Sequence, residues 1–402
     1  MGKKYSLLSY LFVISFGYLS TGLAIPVLGI LLDTKGYSLF YLGWAIFCYS
    51  GTVLIFEVPS GLFCDTKGRR NSYIAGLIFL LIGNFCILSQ SLLIILIGFS
   101  FLGLGKAFGS GSLDALLIER HLASKQKLES AMVAKEISTS ISLALGSFLG
   151  GFLLVKGKQG IHLCDLVISV RLILIIIHIF LVFLLIANDD AIKQKKVKLR
   201  KQTSLLFKKI KETPFIFYFV LFTGVEGILL VSIESYWQPF LKELLKNNNQ
   251  LWLLGFVGGT VFLISILGSI IGKLLLKKAN PSTLFILFLM LTFIGEIFLA
   301  FVSSPLFFCI VYSGIYLSLG IVSIVGEVVL NKTLDSSIRS SALSLNSLLL
   351  QVGGLLGTAI ALPVLKLGSI SIYWIIIASL GLIILSLLGK PFSKAYKKRQ
   401  IL

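Results

Sequence analysis

The chain is poor in charge. Only 13% of its 402 residues are Asp, Glu, Lys or Arg, and 17 of them are acids; a soluble domain carries roughly 25% charged residues. That shortfall excludes a soluble enzyme, and the apolar excess excludes a disordered chain. Histidine is scarce as well, with three in all, and the five cysteines (Cys48, Cys64, Cys86, Cys164, Cys309) are scattered and odd in number. Metal centres and disulfide frameworks need clustered partners, so no metal and no cofactor is expected, and the cysteines read as small apolar core residues. Strict polar–apolar alternation is missing, which excludes an outer-membrane barrel. There is no Walker loop and no D-x-x-x-D, H-E-x-x-H or G-x-S-x-G grouping. Neither ATP use nor a membrane-embedded hydrolase or transferase is expected.

What the sequence does have is long apolar stretches. Hydrophobic residues make up 56% of it, and the mean hydropathy is +0.98. A helix of about 20 residues crosses a ~30 Å hydrocarbon layer. Apolar runs between polar breaks give twelve spans: 6–32, 39–63, 72–89, 92–117, 131–155, 163–187, 214–240, 251–276, 282–302, 305–330, 340–365 and 369–389. The expected fold is an all-α membrane protein with twelve transmembrane helices. The first run, Ser6 to Leu32, is too long for a cleavable signal. The start Met1-Gly2-Lys3-Lys4-Tyr5-Ser6 fits an acylation pattern, which reads as coincidence in a chain that crosses the bilayer many times.

Charge placement sets the orientation. Of the 36 Lys and Arg, 28 fall at the termini or in loops on one side, six on the other, and two (Lys106, Arg171) within spans. Basic residues stay cytoplasmic, so both termini are expected inside, in the inner (cytoplasmic) membrane of the cell. The net charge of +19 is then a topology signal and an attraction to anionic lipid; no nucleic acid is implied. The basic stretch 188–213 divides the chain into two six-helix bundles, 1–187 and 214–402. The halves are faintly alike. Gly146-Ser147-Phe148-Leu149-Gly150-Gly151 has a relative in Gly353-Gly354-Leu355-Leu356-Gly357, and Gly268 to Lys278 stands where an echo of Gly61 to Arg70 should be. Two-bundle carriers are built from such repeats and bind substrate near the midplane.

Residues 57–70 read EVPSGLFCDTKGRR. Gly61, Asp65, Gly68, Arg69 and Arg70 match G-x-x-x-D-x-x-G-R-[KR], and on these the chain resembles the major facilitator superfamily, whose motif lies between helices two and three. The preceding Glu57-Val58-Pro59-Ser60 resembles the bacterial drug-efflux branch. Physically, Gly61 would allow close helix approach, Gly68 a tight turn, and the arginines could fork onto a carboxylate. Asp65, an acid at a helix end, needs a partner. Glu119 is the expected acceptor for Arg69. The resemblance implies that this constellation latches the outward-open state.

Two further stretches resemble family features. Gly146, Gly150 and Gly151 fit the export motif ending G-P-x-x-G-G, with Ser147 in place of proline; as residues alone they are a helix-packing motif. Asn331 to Ser347 is similar to the inner loop between helices ten and eleven, and Trp237-Gln238-Pro239 resembles the same efflux proteins. The family's fourth-helix arginine is absent where Phe99 and Phe101 stand, and Lys106 is the nearest cation.

Acids inside a bilayer are costly and mark sites. The candidates for proton coupling or the substrate cavity are Glu57, Asp114, Glu226, Glu234 and Glu327, with Lys106 as the central cation. The resemblance places helices one, four, seven and ten around the cavity, which makes Asp114, Glu226, Glu234 and Glu327 lining residues. Tyr18, Trp44, Tyr49, Tyr236, Tyr312 and Tyr316 are candidate ring faces for a lipophilic cation. Glu296 falls on a helix the resemblance puts outside, and reads as a paired structural acid. Arg171 and His178 read as structural, while His121 and His162 read as loop residues. Burial disfavours the charged form of an acid and so lets it exchange a proton. The expected function is secondary transport by alternating access, as a proton-coupled antiporter exporting small amphiphilic or cationic molecules. A dedicated natural-product exporter and a proton symporter are the alternatives. The chain is expected to be a monomer, with protons, a small substrate and lipid as partners.

Overall fold

A computed structural model describes residues 7–110, 112–113, 116, 125–156, 163–186, 214–245, 247–333 and 339–401. Among them are twelve long helices: α1 (Leu7–Leu28), α2 (Leu39–Lys67), α3 (Arg69–Ile87), α4 (Leu92–Gly109), α5 (Lys125–Lys156), α6 (Leu163–Leu185), α7 (Pro214–Leu244), α8 (Trp252–Leu275), α9 (Pro281–Ala300), α10 (Pro305–Thr333), α11 (Arg339–Lys366) and α12 (Ile370–Ile401). Each contains a stretch long and apolar enough to cross a membrane. The chain is a multi-pass helical membrane protein.

Local chemistry sets the ends. Asn280 caps α9, its side-chain oxygen accepting from the Ser282 N–H at 3.0 Å, with Pro281 in the first turn. Gly68 separates α2 from α3 with φ +91°, a conformation that glycine adopts without strain. Its N–H donates to the Cys64 carbonyl at 3.0 Å. Several helices outrun their apolar stretches: α2 continues to Lys67 and α12 to Ile401. Hydropathy reports the hydrocarbon layer, whereas helical hydrogen bonding continues into polar surroundings. The fourth apolar run, read to residue 117, is helical as α4 only to Gly109.

Contacts divide the chain into two compact units, Met1–Gln194 with Leu241–Leu263, and Lys195–Phe240 with Ile264–Leu402. In the first, α1 packs on α5 and α6, and α4 on α2 and α3. Glycines set the closest approach. A Cβ on Gly146 or Gly150 would collide with the Leu19 or Leu23 carbonyl, and one on Gly22 with that of Leu143. The glycine run of α5 therefore seats it against the α1 backbone. A cluster of Tyr10, Val13, Ile14, Ile74, Leu77 and Val182 fills the space between helices.

The second unit uses the same device. A Cβ on Gly227 would strike the Leu350 carbonyl and one on Gly353 that of Gly224, which brings α7 against α11. Gly268 and Gly320 do the same for α8 and α10. The resemblance between Gly146–Gly151 and Gly353–Gly357 thus has a packing meaning. An aromatic stack of Phe215, Phe219, Phe285, Phe392 and Tyr396 joins α7, α9 and α12, with ring centroids 5.3–6.0 Å apart.

Candidate functional site

At the end of α2, Asp65 is exposed and has no hydrogen bond or ion pair among the described residues. Arg70 is anchored elsewhere: its Nη2 donates to the Phe183 carbonyl of α6 at 2.9 Å, and its guanidinium lies 5.1 Å from the Phe183 ring centroid. The arginine thus holds α3 to the end of α6. Gly68 makes the turn that the sequence implies. Among the described residues Gly61 serves no close approach: it is exposed, and a Cβ on it would meet nothing within 4 Å. Glu119, the expected acceptor for Arg69, lies outside the described residues, as do Asp114, His121, His162 and the 188–213 link.

Glu57 and Lys106 form no ion pair among the described residues, though the charge of one reaches the other. Glu57 of α2 is half-buried and electrostatically coupled to Lys106 of α4. Other polar groups of the first unit are structural. Lys35 has no exposed side-chain surface; its Nζ is 3.3 Å from Asp165 and donates to the Ile87 and Ser89 carbonyls at 2.8 and 2.9 Å, tying the ends of α3 and α6. Arg171 donates to Asn84 Oδ1 at 3.1 Å inside the first unit. His178 is buried edge-on to Phe16 and Tyr73. Of the five cysteines only Cys164 is buried; the others are half-exposed, so the reading of all five as core residues is corrected.

The second unit carries the acids of α7 and α10. Glu234 is exposed, and its charge is felt by Tyr312 and Tyr316 of α10, whose hydroxyls are 3.5 Å apart. Trp237, one turn on, lies against Tyr312 with centroids 5.3 Å apart, and Phe308 stacks on the same tyrosine at 5.2 Å. These rings are themselves buried, so Tyr312 and Tyr316, expected to offer ring faces to cargo, pack inside the unit instead, and what stays accessible here is the Glu234 carboxylate. Glu226 is half-buried on α7 and Glu327 exposed on α10. Tyr236, expected to offer a ring face to cargo, is instead fully buried against Tyr373 at 5.3 Å, because α12 covers that side of α7. Tyr18 and Trp44 are partly exposed.

Glu296, read as a structural acid, is fully buried, and its partner is the Ser232 hydroxyl of α7. Ser232 was missed by sequence reasoning. The available signal was a small polar residue inside an apolar span, which in membranes marks a helix–helix contact. No group of three His, Cys, Asp or Glu side chains fit to hold a metal occurs among the described residues.

Solved structures share this fold over nearly the whole chain. A nucleoside transporter, NupG, in a mutant form, aligns with TM-score 0.81 at 13% identity, covering 97% of this chain and 99% of its own. A bacterial homolog of the human lysosomal transporter Spinster, inward-facing and unoccupied, gives 0.78 at 14% identity, with 99% of each chain covered. A D-xylose–proton symporter gives 0.74 at 14% identity over 97% and 98%. No curated protein sequence is a significant match. The sequence itself matches the profile described as Major Facilitator Superfamily over residues 10–358, and the chain belongs to that family of secondary transporters.

Proposed function

We propose that this transporter expels small amphiphilic or cationic compounds in exchange for protons, as a monomer in the cytoplasmic membrane with both termini inside, and that it falls in the drug-efflux-like branch of its family. The observation that carries this reading is Glu234, an accessible carboxylate on an apolar helix whose charge is felt by the buried Tyr312 and Tyr316 of α10. An acid held in an apolar span marks a substrate or ion path and favours cations over neutral polar solutes. Glu226 and Glu327 add acids on the same two helices, and Glu57, within reach of the charge of Lys106, adds one in the first unit. Binding of a cation and of a proton to one carboxylate are mutually exclusive, which is how a carboxylate couples the two fluxes by linkage.

Purified protein in liposomes, given tetraphenylphosphonium and an imposed pH gradient, tests it. Movement of the cation against the proton flux is expected, and movement that ignores the gradient rejects proton exchange. A proton symporter is the second reading, supported by the likeness to a D-xylose–proton symporter. It predicts cargo and proton moving in the same direction. A dedicated exporter of one natural product would show saturable export of that compound and none of tetraphenylphosphonium.

A further inference from the structure

Glu296 of α9 has no exposed surface. Its Oε1 meets the hydroxyl of Ser232, and that hydroxyl oxygen is also 2.8 Å from the carbonyl of Leu229. The backbone here is fixed: the Ser232 carbonyl accepts the indole N–H of Trp374 in α12 at 2.9 Å. Two buried polar atoms of the cluster, Glu296 Oε2 and the Tyr236 hydroxyl, have no hydrogen-bond partner among the described residues. Ser232 and Tyr236 are four residues apart and share a face of α7.

The titratable surroundings are sparse. From α12 comes Tyr373, electrostatically coupled to both Glu296 and Tyr236, with its hydroxyl donating to the Gly357 carbonyl at 3.0 Å. From α7 comes Tyr236 itself. The α10 tyrosines, Tyr312 and Tyr316, couple to Glu234 instead. No Lys, Arg or His forms an ion pair with Glu296 among the described residues. An ionised carboxylate without a counter-charge in such a place is costly.

A serine hydroxyl has one hydrogen, and here two acceptors compete for it. When Glu296 is ionised, Ser232 must donate to Oε1 and leave Leu229 without that bond. When Glu296 is protonated, its own O–H can donate to Ser232 Oγ, and the serine hydrogen turns to Leu229. We propose that Glu296 and Ser232 form a two-position hydrogen-bond switch that loads and unloads one transported proton in the second unit. Loading takes a proton from water, forms one O–H bond on the carboxylate and rotates the serine hydrogen. Unloading breaks that bond, returns the proton to water and reverses the rotation. The residue is thereby a second proton site, apart from the cargo-facing acids, and its place in the cycle rests on the proton-exchange reading above.

Infrared difference spectra of the full-length protein in lipid, recorded as pH is stepped, test the switch directly. A carboxyl C=O band is expected that titrates, vanishes in Glu296→Gln, and in Ser232→Ala persists with a shifted frequency and midpoint. Spectra in which Glu296→Gln removes no titrating carboxyl band overturn the proposal. Tetraphenylphosphonium flux in liposomes supplies the second arm. The ratio of flux with a pH gradient to flux without it is expected to fall to unity in Glu296→Gln and to stay above unity in Glu296→Asp. A Glu296→Gln protein with the wild-type ratio overturns the site. A wild-type ratio of unity overturns proton exchange itself, and the infrared arm then still decides whether Glu296 titrates.

Discussion

Ser147 of α5 donates its hydroxyl hydrogen to the Gly255 carbonyl of α8 at 3.0 Å. It stands where the export motif that the fifth span resembles carries proline, so at this position a residue that removes a backbone N–H is replaced by one that adds a cross-helix bond. Ser147 is fully buried, and Gly151, one turn on, lies against the Gly255 backbone. Ser147→Ala is expected to lower stability by about 1 kcal/mol, the net worth of one buried hydrogen bond. Ser147→Pro should cost more, about 3 kcal/mol, because it also disturbs the ladder inside α5. Thermal unfolding of the purified variants measures both, and equal midpoints for Ala and wild type would show the bond to be energetically idle.

The glycines give a contrast within one molecule. Gly146 leaves no room for a Cβ against the Leu19 carbonyl, whereas Gly61 has nothing within 4 Å. Gly146→Leu is expected to separate α1 from α5 and abolish monodisperse protein, as overpacking at a backbone contact must shift a whole helix. Gly61→Ala should fold normally and gain up to about 1 kcal/mol from helix propensity. Yield and unfolding midpoint after detergent extraction compare the two. Loss of folding in Gly61→Ala would mean that α2 has a close neighbour at that point.

Glu57 is half-buried and Lys106 exposed, and the charge of Lys106 reaches Glu57 without an ion pair among the described residues; an interaction of that kind contributes little to stability. A double-mutant cycle with Glu57→Gln and Lys106→Gln is expected to give a coupling below about 1 kcal/mol. Transport should respond differently. Each single change leaves one uncompensated charge in the membrane, so each should reduce tetraphenylphosphonium flux more than the double variant does. Fluxes that fall additively would separate the two residues functionally.

The architecture was legible because its signals are local. Twelve apolar runs and the glycine repeats each follow from neighbours along the chain, and the observed helices begin and end within a few residues of most of those runs. Side-chain environment was not legible. The likeness to the family put Glu296 on an outer helix, yet it turns inward to Ser232, which lies 64 positions away in sequence. Which face of α9 meets α7 depends on aromatic packing among Phe219, Phe285 and Phe392, and no periodicity within α9 encodes it. The same holds for Tyr236, drawn from the expected cargo surface into a contact with Tyr373. Lys35, counted only as a loop charge, proved to be a buried tie between helix ends.

The junction of α2 and α3 sets a structural arginine beside an acid that has no hydrogen bond or ion pair among the described residues. Arg70 binds the Phe183 carbonyl and ring of α6, so Arg70→Ala should lower the unfolding midpoint by the equivalent of roughly 1–2 kcal/mol, the range for a charge-assisted hydrogen bond with a cation–π contact. Asp65 is exposed, and Asp65→Asn removes charge with almost no change of shape; its stability should stay within about 0.5 kcal/mol of wild type. If the acid serves the conformational latch implied by the GLFCDTKGRR sequence, gradient-driven flux of tetraphenylphosphonium should nonetheless be lost in Asp65→Asn. The two variants thus fail in opposite assays, Arg70→Ala in unfolding and Asp65→Asn in flux. Full flux by a stable Asp65→Asn protein would remove Asp65 from the transport cycle and leave Gly68 and Arg70 as the working parts of the loop, both structural.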